Sequence, residues 1–196
     1  MGNSIFNSKD ITVKIALNFT VLFVALLAGR ANAAFVHDYD VGNWHKAVHR
    51  GSINTKGAPD SIKLTSSNTI NPRLFKARNQ DFTIASMGTG LVTFDWSFRT
   101  SDKHGARFDP FGFILNGIFH KLTDNSRKRR EHGTFSFEVH KGDVFGFRQR
   151  SINSEFGAAT TTVSNFSAPV PIPAAIWLMT SSLLGLFGMQ RKQKMI

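Results

Sequence analysis

From Leu91 to Thr100 the chain reads LVTFDWSFRT, with Val92, Phe94, Trp96 and Phe98 at alternate positions and Thr93, Asp95, Ser97 and Arg99 between them. A period of two is that of a half-buried strand, because successive side chains leave opposite faces of the pleat. FGFIL and IFHKL follow, joined by Asn116-Gly117. A type I′ turn needs positive φ at both central residues, which Asn-Gly tolerates, so the pair predicts a β-hairpin. In TFSFEVH, Phe135, Phe137 and Val139 share one face; Lys141-Gly142-Asp143 then turns the chain and VFGFRQR resumes as a strand. AATTTVSNF, rich in Thr and Val, reads as the last strand, and SIKLTSS and DFTIAS as weaker earlier ones. No stretch of this central region carries a 3.6-residue period. Seven or eight short strands separated by turn signals predict an all-β fold, an antiparallel β-sandwich of jelly-roll type.

The two ends follow other rules. At the N-terminus a polar, weakly basic segment with Lys9 and Lys14 precedes an apolar run from Ile15 to Ala28 and then Ala31-Asn32-Ala33. That order is the one of a secretory signal peptide with an A-x-A site, recognised by signal peptidase and cleaved to leave Ala34 first; Ala31, Ala33 and Ala34 form the site. Near the other end, Ala174 to Met189 is uncharged and mostly apolar, with Trp177 near its start and Arg191, Lys192 and Lys194 after it. Sixteen helical residues span about 24 Å, a little under the ~30 Å hydrocarbon core, and the basic tail belongs on the cytoplasmic side. A single C-terminal transmembrane helix is therefore expected, in a topology that agrees with export of everything before it. Residues 1–33 then form the signal peptide, 34–168 the sandwich body and 169–196 a C-terminal sorting and anchoring segment.

Val170-Pro171-Ile172-Pro173-Ala174, an apolar span and a short basic tail, in that order, resemble the PEP-CTERM class of bacterial sorting signals. The pattern is nearest its Val-Pro-Leu-Pro-Ala variant, with Ile172 in the Leu position. The resemblance implies recognition of Val170, Pro171, Ile172, Pro173 and Ala174 by an exosortase, a membrane-embedded cysteine transpeptidase. It also implies a Gram-negative host that makes exopolysaccharide. The chain would be held in the inner membrane before processing and go from there to the cell surface or extracellular matrix. The two prolines fit this on physical grounds, since they donate no backbone hydrogen bond and keep their neighbours extended, as a protease substrate must be. The aromatic strands and turns of residues 94–123, 136–147 and 163–171 are also similar to the bodies of some other PEP-CTERM-type surface proteins, which have a CUB-like sandwich character.

Composition narrows the function classes. The formal net charge of the 196-residue chain is +11, but residues 34–169 hold 18 basic against 12 acidic groups. That density is low for a dedicated nucleic-acid domain, so nucleic acid is an unlikely partner. The chain has no cysteine, which excludes disulfides and thiolate metal sites. Nineteen Phe against one Tyr and three Trp supply enough large apolar rings to fill a core without them.

Candidate chemistry is sparse. Asp102 and Asp109 flank a Gly-containing loop and Asp95 lies on the strand before it, a set that could bring carboxylate oxygens to Ca²⁺; a structural loop is the plainer reading, and otherwise no cofactor is expected. His37, His45 and His49 lie close in sequence, but His45 and His49 share a face only on a helix, for which the flanks give no support, so solvated histidines fit better than zinc. Arg127, Lys128, Arg129 and Arg130 form a basic run expected in a loop, either simply solvated or in contact with acidic exopolysaccharide or lipopolysaccharide. Trp44 is expected to be exposed, where it could stack on a sugar ring, and Trp96 to be core. There is no G-x-S-x-G, no H-E-x-x-H and no Cys nucleophile; Glu138 and Glu155 leave a glycosidase pair open. The expected function is that of a non-enzymatic exported surface or matrix protein. The alternatives are a secreted carbohydrate-active enzyme and a calcium-dependent glycan-binding adhesin.

Overall fold

A computed structural model describes residues 32–171, 178–179 and 181–182. The apolar run 15–28, Ala31, Ile172, Pro173, Ala174 and the basic Arg191, Lys192 and Lys194 lie outside the described residues. Among the described residues no helix is long and apolar enough to cross a membrane.

Among the described residues eleven strands form two antiparallel sheets. In chain order they are β1 (Asn32–Ala33), β2 (His45–Val48), β3 (Ser52–Asn54), β4 (Ser61–Thr65), β5 (Arg78–Ala85), β6 (Gly90–Thr100), β7 (Phe111–Leu115), β8 (Ile118–Lys121), β9 (Arg130–Val139), β10 (Val144–Ser151) and β11 (Ala159–Pro169). One sheet runs β3-β4-β11-β6-β9, with β1 added alongside β11; the other runs β2-β5-β10-β7-β8. The protein is an all-β, two-sheet antiparallel sandwich.

The alternating pattern does what it predicts. Val92, Phe94, Trp96 and Phe98 of β6 point inward and are buried, while Leu91, Ser97 and Arg99 are exposed. Asn116 and Gly117 have φ of 49° and 83°, the left-handed pair that a type I′ turn requires between β7 and β8. This turn is tied to the next one: Asn116 Nδ2 donates to Asp143 Oδ1 over 3.0 Å, and Val144 N donates to Asn116 Oδ1 over 3.0 Å.

The core is aromatic and spans both sheets. Trp44 stacks on Phe82 with ring centroids 4.5 Å apart, lies 5.9 Å from Phe147, and meets Phe166 edge-on at 5.5 Å. Phe35 stacks on Phe166 at 4.6 Å. Such pairs contribute about 0.5–1.5 kcal/mol each beyond the area they bury. Trp44 is 5% exposed, so the expectation of a surface ring available to a sugar is wrong. The segment carrying it has no alternation to reveal burial, yet the indole lies between the sheets and donates from Nε1 to the Tyr39 carbonyl over 3.0 Å.

Three strands were not expected from the pattern: β1, whose Asn32 and Ala33 fall in the segment read as the signal peptide, and β2 and β3, which stand at the ends of their sheets. The sequences of the latter two, His-Lys-Ala-Val and Ser-Ile-Asn, are short and mostly exposed, as edge strands commonly are. The basic run is not wholly a loop, since Arg130 begins β9.

The long strands β6 and β11 run antiparallel and define two poles. Thr100 pairs with Ala159 at one; at the other, Thr93 pairs with Ser167 and Gly90 packs on Pro169. At the second pole β1 pairs Asn32 with Pro169 and Ala33 with Ala168. The Tyr39 hydroxyl fastens this pole, donating to the Pro169 carbonyl over 2.7 Å and accepting from Met87 N over 3.0 Å. Val170 is half-buried against the core.

Candidate functional site

Outward positions of neighbouring strands form rows across a sheet. On the β3-β4-β11-β6-β9 sheet one row is Thr65, Thr160, Arg99 and Arg130, and the next is Lys63, Thr162, Ser97 and His132. Arg99 and Arg130 therefore face each other directly across β6 and β9. Like charges so placed destabilise a sheet unless something else compensates them. Arg129 adjoins the pair, its carbonyl accepting from Thr100 N over 3.0 Å. Arg99, Arg129, Arg130 and Lys63 are all exposed, and among the described residues none of them forms a salt bridge.

These groups line a continuous depression at the Thr100 pole. Arg99, Thr100, Ser101, Arg129 and Arg130 enclose about 290 Å³. An adjoining groove of about 550 Å³ shares Arg99, Thr100 and Ser101 and continues over Lys63, Ser97, Thr160 and Thr162. Ser and Thr side chains line it between the cations, and one of them, Thr160, has its Oγ1 3.1 Å from Thr65 Oγ1. Unpaired guanidinium and ammonium groups beside Ser and Thr hydroxyls suit a ligand bearing both carboxylates and hydroxyls. Of the four predicted basic residues only Arg129 and Arg130 line it. Lys128 instead pairs with Asp124 at 3.4 Å, and Arg127 packs its backbone against Gly105. Arg99 and Lys63 were missed in the sequence. Alternation marks them as outward, but only strand register brings them beside Arg130.

Below the same pole lies a second cluster. Asp102 and Asp109 are both fully buried, together with Ser66, Ser67, Ser151 and Ser154. Asp102 Oδ1 accepts from His104 N over 2.6 Å, and His104 Nδ1 lies 3.3 Å from the same oxygen without hydrogen-bond geometry. Asp102 Oδ2 and both oxygens of Asp109 have no hydrogen-bond partner. Burial pushes the Asp109 carboxyl up to about 7, with the Ser151 and Ser66 hydroxyls opposing the rise and the Asp102 charge adding to it. Gln149 clamps the Asp109 main chain by donating from Nε2 to its carbonyl over 2.9 Å, while Gln149 Oε1 accepts from Thr161 over 2.7 Å.

The structure thus brings Asp102 and Asp109 together and leaves Asp95 out. Asp95 lies on the outer face, where it accepts from Thr134 Oγ1 and from Asn165 Nδ2; these bonds, Thr134 first, hold its carboxyl below the usual range. Among the described residues no three His, Cys, Asp or Glu side chains converge as a metal cluster. His37 is in a 3-10 turn, His45 in β2 and His49 just beyond it, with His49 Nδ1 3.0 Å from the Asn79 carbonyl. Glu138 on β9 faces Leu91 near the start of β6, whereas Glu155 lies in the loop before β11 at the opposite pole. Nearly the length of β6 separates them, about 30 Å at strand rise, against the 5–9.5 Å of a glycosidase pair.

No family model matches the chain, and no curated protein matches it in sequence. Among solved structures it is similar to a family 35 carbohydrate binding module from Clostridium thermocellum, at 8% identity over 63% of this chain and 92% of that one, with a TM-score of 0.34. It is also similar to the family 35 module of Cellvibrio japonicus Abf62, at 12% identity over 63% and 91% of the two chains and a TM-score of 0.33. A third likeness is to the secreted serine protease VesC from Vibrio cholerae, at 14% identity over 76% of this chain and 27% of that one, with a TM-score of 0.39. Resemblances at this level carry no functional assignment.

Proposed function

We propose that this chain is a non-enzymatic, exported surface or matrix protein whose sandwich binds an acidic polysaccharide in the basic groove. The observation that carries the reading is the opposed pair Arg99 and Arg130, with Arg129 and Lys63 beside it and, among the described residues, no carboxylate in a salt bridge with any of them. A uronate polymer would bring the missing charge, and its ring hydroxyls would meet Thr160, Thr162 and Ser97. Arginine forks bind carboxylates bidentately, which gives orientation as well as attraction. The groove is open along the sheet, as a site for a chain-like ligand must be. The strand order supports the finer fold reading: β4-β11-β6-β9 faces β5-β10-β7-β8, so the chain alternates between sheets in the manner of a jelly roll.

The delivery route rests on the sequence. Residues 1–33 direct export, the C-terminal segment holds the chain in the inner membrane, and an exosortase-type transpeptidase acts at Val170–Ala174. The mass of the mature protein from its native cell tests this part, with ends near Ala34 and near Val170 expected; an intact C-terminus would make the segment a plain anchor. Binding is tested by affinity electrophoresis of the full chain against polygalacturonate and neutral dextran. Retardation by polygalacturonate alone is expected, weakening as salt rises and falling about tenfold in the Arg99→Gln/Arg130→Gln variant. Equal retardation by both polymers, or by neither, would overturn the assignment.

A further inference from the structure

Four segments meet beneath the groove: Ser66 after β4, Asp102 after β6, Asp109 before β7 and Ser151 at the end of β10. Their side chains are buried, and three carboxylate oxygens among them have no partner: Asp102 Oδ2, Asp109 Oδ1 and Asp109 Oδ2. The hydroxyls of Ser66 and Ser151 stand beside Asp109. Each already accepts from an amide, Ser66 Oγ from Ala159 N and Ser151 Oγ from Ser154 N, both over 2.9 Å. Both serine oxygens are thereby held in place and retain a free lone pair. Two adjacent carboxylates are costly to bury, and among the described residues no Lys or Arg pairs with either.

A hard cation satisfies all of them at once. We propose that Asp109 and Asp102, with the hydroxyl oxygens of Ser66 and Ser151, hold one calcium ion at this pole. The donors are oxygen throughout, and Ca²⁺ accepts irregular oxygen shells where Mg²⁺ demands a strict octahedron. Only two carboxylates contribute, so the affinity belongs to the weak range of extracellular modules, with a Kd of about 10⁻⁴–10⁻³ M. The ion would join the loops of both sheets. It would also fix Thr100 and Ser101, which lead from the groove to Asp102; Asp102 N already donates to Thr100 Oγ1 over 3.0 Å. Calcium binding here does not depend on which ligand the groove takes.

The full chain, purified in mild detergent and stripped with EDTA, is titrated with CaCl₂ to 20 mM while thermal unfolding is followed. A rise in Tm of about 5–10 °C is expected at saturation, from linkage at 20- to 200-fold above Kd. Half of the effect seen at 20 mM should come at about 1–4 mM, with MgCl₂ giving less than a third of it. Asp109→Asn should lose the rise, and Asp95→Asn should keep it. Equilibrium dialysis against ⁴⁵Ca²⁺ should find one ion per wild-type chain, a measurement that decides the matter even where Asp109→Asn fails to fold. A Tm indifferent to calcium, a full-sized rise in Asp109→Asn, or no bound ⁴⁵Ca²⁺ would overturn the assignment.

Discussion

Replacing Tyr39 with Phe removes one oxygen atom and leaves the ring where it is, 6.1 Å from Phe145 and 5.8 Å from Phe166 by centroids. The residue is fully buried, and its hydroxyl serves two main-chain groups, the Pro169 carbonyl at 2.7 Å and the Met87 amide at 3.0 Å. Both are stranded in the variant. A buried group left without a partner costs about 1–3 kcal/mol, and the Met87 side is only partly buried, so water relieves some of the loss. A net destabilisation of about 2–4 kcal/mol follows. For a domain of this size that lowers Tm by roughly 6–12 °C. Thermal unfolding followed by tryptophan fluorescence measures it, since Trp44 lies in the same aromatic cluster. The urea m-value should stay constant, because the surface exposed on unfolding hardly changes. The Met87 amide should also exchange faster with solvent than in the wild type, which separates local release of the β11 end from general loosening. A fall in Tm under 2 °C, with Met87 exchange unchanged, would refute the clamp.

Two further outcomes can be checked in the same assays. Gly146 stands in the middle of β10, where a Cβ would collide with the Phe82 carbonyl oxygen of β5, so Gly146→Ala should separate the two strands, cost about 2–4 kcal/mol and reduce soluble yield; a Tm within 1 °C of wild type would contradict the close approach. The Asp143 carboxyl is held below its usual range, first by the His140 amide and then by Asn116, so its contribution is full above about pH 4 and disappears as pH falls through the folded value. The His140 and Val144 amides should lose exchange protection relative to those of β6 only as pH falls below about 4, and a constant ratio would show that the carboxylate does not hold the two turns together.

The strands that carry the fold were legible wherever one face was apolar, as in β6, or a turn had its own chemistry, as at Asn116-Gly117. Two kinds of information were not. Trp44 sits among Gly, Asn, His and Lys with no period to mark it, and its burial depends on Phe82 and Phe166 arriving from opposite sheets. The groove depends on register: Arg99 meets Arg130 thirty-one positions later, and Lys63 joins them through Thr162, about a hundred positions further on than itself. No local pattern encodes such a row, because the pairing is set by the sum of turns, the bulge in β11 and inward packing. The acidic centre was half legible. Asp102 and Asp109 bracket one loop and could be paired by proximity, whereas Ser66 and Ser151 come from distant strands, and Asp95, one of the outward residues of β6, points to the wrong face.

Strand β11 has a mechanical consequence beyond the sheet it completes. It runs from Ala159, beside the arginine groove, to Pro169, next to Val170, eleven residues or about 34 Å of continuous β-structure. For a chain tethered through Val170 this strand is its own stalk. It would set the charged end at the far pole from Val170, stiffened on both flanks by β4 and β6. Severing the chain at the tether then cuts it at the far end from the groove, so anchored and released forms would carry the same binding surface into different places.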